Sequence, residues 1–80
     1  MRLVVPKINE IGPMLARIRK TKGYSLRKMA IKTGLNLATI SKAETGNNYP
    51  SLGTLETWCK ALGVKEITIL MEDPEDAQNN

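Results

Sequence analysis

Histidine and phenylalanine are absent from this sequence of 80 residues, which has one cysteine, one tryptophan and two tyrosines. Without histidine and with a single thiol, Cys59, the chain cannot form a zinc finger, a disulfide framework, or a Ser-His or Cys-His catalytic pair. We expect Cys59 to be a small, half-buried apolar side chain in a reducing compartment. The sequence therefore predicts no metal site, no cofactor and no enzymatic activity.

Long apolar runs are missing as well. None approaches the ~20 residues that span a bilayer, and the segment Met1–Pro6 is far too short for a signal peptide. The expectation is a cytoplasmic protein with no membrane partner. A chain of this length has room for one domain with a thin core, and a deep substrate pocket is not expected in so small an interior.

Charge is distributed unevenly along the chain. Residues 1–65 hold all twelve Lys and Arg residues and three of the eight acidic residues, whereas residues 66–80 hold five acidic residues and no base. A basic body attracts phosphate polymers, although solubility alone produces a similar bias. Residues 73–80 lack apolar periodicity, so we predict one domain over residues 1–72 followed by a disordered acidic tail.

Glycines divide the body into stretches with helical periodicity. Glycine after a helix relieves the strain of a left-handed cap, so these glycines are predicted to end helices. The predicted helices cover about residues 10–22, 26–33 and 37–45, and a fourth begins at about residue 52. The glycines concerned are Gly23, Gly34, Gly46 and Gly63, and the predicted N-caps are Ser25, Asn36 and Ser51.

The link between the second and third helices is very short, because only Gly34 and Leu35 precede the cap Asn36. Such a link forces a steep crossing, which is the geometry of a helix-turn-helix. β-Branched alternation at residues 67–71 and at residues 3–5 predicts two short strands, paired either within one chain or between two chains. The predicted class is all-α, with four to five helices and a small two-stranded β element.

A packing prediction follows from the same periodicity. Leu52, Leu55, Trp58 and Leu62 fall on one face of the fourth helix, with Trp58 as the largest core residue.

Together, residues 11–62 resemble the Cro and phage-repressor type of helix-turn-helix, the XRE-like family of bacterial regulators. The resemblance implies a compact lambda-repressor-like domain that binds a palindromic operator in double-stranded DNA as a homodimer, with the third helix in the major groove. The matching residues are Ile11-Gly12, Arg17-Ile18-Arg19-Lys20, Gly23-Tyr24-Ser25, Met29-Ala30, Gly34-Leu35-Asn36, Thr39-Ile40-Ser41-Lys42, Glu44, Gly46, Pro50-Ser51 and Ala61-Leu62-Gly63.

The same resemblance implies roles for individual residues. Ala30 is expected to be small because the second and third helices approach each other there. The base-reading residues are Leu37, Ala38, Ser41 and Lys42. The residues expected near the DNA backbone are Ser25, Leu26, Arg27, Lys28, Asn36, Thr39, Thr45, Asn47 and Asn48. Arg19 and Glu44 match positions that form a salt bridge in many relatives, the alternative being two solvated charges. Ile67, Ile69 and Met71 are predicted to contribute to dimerisation.

The sequence departs from the family pattern at two places. Leu37 stands where many relatives carry Gln or Arg, so part of the base readout is expected to pass to apolar contacts and DNA shape. Arg27 and Lys28 occupy the first turn of the second helix, where cations oppose the helix dipole. The arrangement is explained if a DNA phosphate binds there, and the alternative is two tolerated surface charges.

Other functions remain open from the sequence. A strand followed by an acidic tail resembles HipB-type antitoxins, which autoregulate their operon and bind a toxin, and prophage regulators fit nearly as well. An interaction module or an RNA binder could use the same scaffold. Tyr24 and Tyr49 are too few aromatic residues for single-strand stacking, which argues against RNA.

Overall fold

The computed structural model describes residues 1–46 and 49–70, and it consists of four helices and a two-stranded sheet. Met71 and the predicted acidic tail therefore lie outside the described residues. The architecture confirms the predicted fold class. The elements, in chain order, are β1 (Arg2–Val5), a 3-10 turn (Ile8–Glu10), α1 (Ile11–Thr21), α2 (Leu26–Thr33), α3 (Leu37–Glu44), α4 (Leu52–Leu62) and β2 (Glu66–Ile69).

The helix boundaries follow from local hydrogen bonds that the sequence predicts. The side chains of Ser25, Asn36 and Ser51 accept hydrogen bonds of 3.0, 2.8 and 3.2 Å from backbone amides in the first turns of α2, α3 and α4. Gly34 and Gly63 follow α2 and α4 with φ angles of +72° and +74°. Both types of signal are confirmed: polar N-caps begin these helices, and left-handed glycines end α2 and α4.

The sheet joins the two ends of the described chain. β1 and β2 run parallel, with Leu3 opposite Ile67 and Val5 opposite Ile69. Pairing within one chain is therefore the arrangement found, and all four helices lie in the connection between the strands. Leu3 and Val5 are buried and the two isoleucines pack against the same core, so the sheet closes one side of the helical body.

Trp58 is the largest fully buried side chain, as predicted from the sequence, and Leu62 on the same helix is also buried. The prediction was wrong for Leu52, whose side chain is 84% exposed. Periodicity indicates which face of a helix a side chain occupies. It does not indicate whether a neighbouring element extends far enough to cover that side chain. Leu52 is the first residue of α4, and no described element covers that turn.

Candidate nucleic-acid interface

The third helix separates a buried side from an exposed side. Ile40 and Ala43 are buried in the core, which fixes the rotation of α3 about its axis. The four predicted base-reading positions are i, i+1, i+4 and i+5, and these share one face of a helix. Leu37, Ala38 and Lys42 are exposed and Ser41 is partly exposed. The structure thus brings all four to one solvent-facing surface.

Residues predicted to lie near the DNA backbone flank that surface. Ser25 and Asn36 are exposed and cap α2 and α3, and Thr39 is exposed on α3. Thr45, which is also exposed, donates a hydrogen bond of 2.8 Å from its hydroxyl to the carbonyl of Lys42. The predicted backbone residues Asn47 and Asn48 lie outside the described residues.

The N-terminus of α2 carries two exposed cations, Arg27 and Lys28, whereas Leu26 is half-buried and packs against the core. Within the described residues, the amides of Leu26 and Arg27 donate no hydrogen bond, as is usual for the first turn of a helix. Leu26 can therefore contribute its backbone amide to an anion, but its side chain faces the protein.

Tyr24 organises two of the lysines on α2, a contact that the sequence analysis missed. The Nζ atoms of Lys28 and Lys32 lie 4.8 and 5.2 Å from the centroid of the Tyr24 ring, which is within the range of cation–π interactions. The two lysines are four residues apart and so share one face of α2. The sequence did contain a signal for this contact, because Lys28 and Lys32 follow Tyr24 by four and eight residues. Lys32 consequently joins Arg27 and Lys28 in the basic surface.

Arg19 and Glu44 form a buried, two-pronged ion pair between α1 and the end of α3. The Nε and Nη2 atoms of Arg19 donate to the two carboxylate oxygens of Glu44 at 2.6 and 2.9 Å, and the side chains are 8% and 9% exposed. The remaining nitrogen, Nη1, donates to the carbonyl of Tyr24 at 2.5 Å. One guanidinium therefore connects α1, the residues before α2 and the end of α3, and fixes α3 relative to the cations of α2.

Among the residues that the structure describes, no carboxylate neutralises the exposed cations of α2 and α3. Within residues 1–46 and 49–70, none of Arg27, Lys28, Lys32 and Lys42 lies within ion-pair distance of a carboxylate. Exposed cations without local counter-charges attract phosphates over a distance set by the ionic strength. The face formed by α2 and α3 can thus bind a polyanion.

A second surface feature lies between α4 and β2. It is an open groove of about 700 Å³ with a largely apolar lining. Burial raises the pKa of the Cys59 thiol, which therefore stays protonated at neutral pH. The apolar lining residues are Leu52, Leu55, Cys59, Val64 and Ile67.

Of the predicted dimerisation residues, Ile67 lines the groove, Ile69 is half-buried in β2, and Met71 lies outside the described residues.

The described part of the chain contains neither a membrane span nor a metal cluster. None of its helices combines the length and the apolar character that a bilayer crossing requires. No group of three or more Cys, Asp or Glu side chains there has the arrangement of a metal site.

Comparison with known proteins gives three results. The profile of the Cro/C1-type HTH DNA-binding domain matches residues 14–76. The uncharacterized HTH-type transcriptional regulator y4dJ of Sinorhizobium fredii is 28% identical over 65 residues, which cover 81% of this chain and 84% of y4dJ. The solved structure of the restriction-modification controller protein C.Esp1396I, a tetramer in complex with its natural 35-base-pair operator, is similar with a TM-score of 0.67 and 26% identity. The similarity covers 72% of this chain and 76% of that one.

Proposed function

The chain belongs to the family of Cro/C1-type HTH DNA-binding domains, and we propose that it represses transcription as a homodimer bound to a two-fold operator. Its function is binding rather than catalysis. One observation carries the proposal: α3 presents Leu37, Ala38, Ser41 and Lys42 on a single solvent-facing surface. Beside it lie cations of α2 that have no carboxylate of the described residues within ion-pair distance. A face of this shape and charge fits the major groove of duplex DNA.

Base reading would fall to the side chains on α3. Lys42 can donate to O6 or N7 of guanine, and the Ser41 hydroxyl can bond to either type of base. Leu37 and Ala38 can contact thymine methyl groups, which replaces hydrogen bonding at the position where relatives carry Gln or Arg. Sequence-dependent DNA shape would supply the rest of the discrimination.

Backbone anchoring would fall mainly to α2 and its neighbours. A phosphate at the N-terminus of α2 would accept from the free amides of Leu26 and Arg27, and it would balance the cations of Arg27 and Lys28. Lys32 extends this basic surface by one helical turn. The remaining proposed backbone contacts are Ser25, Asn36, Thr39, Thr45, Asn47 and Asn48.

Dimerisation is required because one reading helix covers only a few base pairs, and affinity then needs two half-sites about one DNA turn apart. We assign the contact between subunits to the groove between α4 and β2, which includes Ile67 and the exposed Leu52. The tetrameric assembly of C.Esp1396I on its operator supports self-association in this fold. Ile69 in β2 and Met71, which lies outside the described residues, remain candidates.

The second candidate is a HipB-type antitoxin, which the C-terminal strand followed by an acidic segment suggested. Within the described residues β2 pairs with β1 of the same chain, and no observation there favours a toxin partner. A toxin partner would need a further surface, and the basic face of α2 is explained by DNA. Operator binding is therefore the function that the geometry favours.

The proposal is tested by selecting binding sites from a random duplex library and measuring affinity against salt concentration. We expect an enriched site with two-fold symmetry, and a log–log slope of about −0.9 per phosphate contacted. Single-stranded RNA of the same sequence is the control for an RNA binder. The proposal fails if no duplex is enriched, or if RNA binds as tightly as the selected duplex.

A further inference from the structure

Lys32 lies too far along α2 to belong to the phosphate site proposed at the start of that helix. Successive residues of a helix are about 100° apart, so Lys32 leaves α2 about 40° from Lys28 but about 140° from Arg27. Its backbone also lies four residues, about 6 Å, beyond Lys28 along the helix axis. A separate contact must therefore determine where its ammonium group lies.

That contact is with the ring of Tyr24, next to the N-terminal end of α2. Tyr24 directly precedes the cap Ser25, and the Nζ atoms of Lys28 and Lys32 lie 4.8 and 5.2 Å from its ring centroid. The two ammonium groups are thus separated by no more than the sum of these distances. Long side chains of a helix lean towards its N-terminus, and the ring holds both charges at that end.

Tyr24 itself is held in place on two sides. Its backbone amide donates to the carbonyl of Arg19 at 3.0 Å, and its own carbonyl accepts a hydrogen bond from Nη1 of the same residue. Its half-buried ring packs against the hydrophobic core. The ring is therefore a fixed platform, and the two lysines on it are ordered before any ligand binds.

Two cations at this end of α2 are unfavourable unless an anion joins them. The ammonium groups repel each other, and both lie where the helix dipole is positive. Within residues 1–46 and 49–70, no carboxylate lies within ion-pair distance of Lys28 or Lys32. The ring contacts one side of each ammonium group, so further N–H donors remain for a ligand. An anion that accepts from both groups would relieve the repulsion.

We propose that Tyr24 is a positioning residue for DNA binding, and that Lys28 and Lys32, held on its ring, together bind one phosphodiester group of the duplex backbone. A phosphodiester suits this pair because each of its two unesterified oxygens can accept from one ammonium group. The inference rests on the proposed function, and it adds a phosphate site beside the one at the start of α2. Tyr24 acts through the lysines and need not touch the DNA.

Preorganised lysines differ from additional charge in their effect on binding. Replacement of Tyr24 removes no charge, so the slope of log affinity against log salt should stay the same. The affinity itself should fall, because both lysines would then lose their freedom only when DNA binds. Removal of the lysines should instead flatten the slope. Since phosphate contacts carry no sequence information, operator and random duplex should be affected alike.

The experiment is a double-mutant cycle between Tyr24 and the two lysines. We expect Tyr24→Leu to weaken binding to operator and to random duplex by about three- to tenfold, with an unchanged salt slope. Tyr24→Phe keeps the ring and should restore most of the affinity. In the variant Lys28→Met/Lys32→Met, Tyr24→Leu should weaken binding by less than about twofold, because the ring then has no ammonium group to position. An equal loss in both backgrounds would overturn the inference, since Tyr24 would then act only through packing.

A second measurement uses the wild-type chain without DNA, with inorganic phosphate as the probe. We expect phosphate to shift the εCH2 resonances of Lys28 and Lys32 more than those of Lys20, an exposed lysine of α1 with no ring contact among the described residues. Equal responses at the three lysines would also overturn the inference, because the pair would then bind phosphate no better than a single surface charge. If no duplex binds at any salt concentration, the proposed function fails, whereas this titration still tests the phosphate site.

Discussion

Gly12 of α1 packs directly against the backbone of Ala43 in α3. A Cβ atom placed on Gly12 would overlap the carbonyl oxygen of Ala43 and would lie 2.7 Å from its carbonyl carbon. Real Cβ atoms do not approach backbone atoms so closely, so a side chain at position 12 requires the two helices to move apart. The close packing of α3 against α1 therefore requires glycine, which has no Cβ atom, at position 12.

Gly12→Ala is expected to destabilise the domain by about 2–3 kcal/mol or more, because overpacking against rigid backbone is relieved only by separating α1 from α3. Gly53→Ala is the matched control: Gly53 is also helical, and nothing lies within 4 Å of its added Cβ. Alanine there should stabilise by about 0.5–1 kcal/mol through helix propensity. Urea denaturation measures both. Equal midpoints for the two variants would contradict the close approach.

Glu44→Ala is expected to cost about 3–5 kcal/mol, because it leaves the buried Arg19 guanidinium without its carboxylate. Glu56→Ala removes an acid from an exposed pair with Lys60, whose side chains are more than 70% exposed, and should cost less than about 1 kcal/mol. Thermal and urea unfolding of the two variants provide the comparison. An unchanged unfolding midpoint for Glu44→Ala would show that the pair contributes little.

Lys42→Ala is expected to reduce the preference for operator over random duplex. The decrease in binding free energy on the operator should be about 1–3 kcal/mol per half-site, with a much smaller decrease on random DNA, because Lys42 is exposed on the face of α3 that we propose reads the bases. Competition binding with labelled operator and unlabelled random duplex measures the ratio.

Replacement of Arg27 and Lys28 by Ala is expected to weaken operator and random duplex alike. It should also flatten the slope of log affinity against log salt by about one unit for each phosphate that the variant no longer neutralises. The preference for operator over random duplex should remain, whereas Lys42→Ala should reduce it. The opposite pattern, in which Arg27 and Lys28 control discrimination and Lys42 does not, would mean that α3 is not the reading helix.

Leu52→Asp is expected to weaken self-association by about tenfold or more, since it places a charge in the apolar groove between α4 and β2. The fold should tolerate it, because an acid in the first turn of a helix is favourable. Ile31→Asp, at an apolar side chain of α2 that is 77% exposed, should leave self-association unchanged. Sedimentation at several concentrations distinguishes them. If both variants dimerise like the wild-type chain, the subunits meet elsewhere.

Features that depend on neighbouring residues could be predicted from the sequence. The caps Ser25, Asn36 and Ser51 bond to amides two or three residues away, so short patterns contain the whole interaction. Gly34 and Gly63 were predictable for the same reason, because the left-handed conformation is a property of a single residue.

Features that depend on distant residues were harder to predict. Gly12 excludes a methyl group because of Ala43, which is 31 residues away, and no local pattern links these two residues. The expectation for Ala30 concerns the contact of α2 with α3 and stays a prediction. Arg19 and Glu44 were paired only through the family resemblance, since nothing local links them. The partner of β2 stayed open because pairing within a chain and pairing between chains satisfy the strand equally well.

The parallel pairing of β1 with β2 also has a consequence for the order of folding. About 60 residues separate the two strands, so closing this loop costs about 3–4 kcal/mol of chain entropy before any strand contact compensates. The helices form through shorter-range contacts and can assemble first. During synthesis, Leu3 and Val5 leave the ribosome about 60 residues before Ile67 and Ile69, so β1 is made well before the strand that pairs with it.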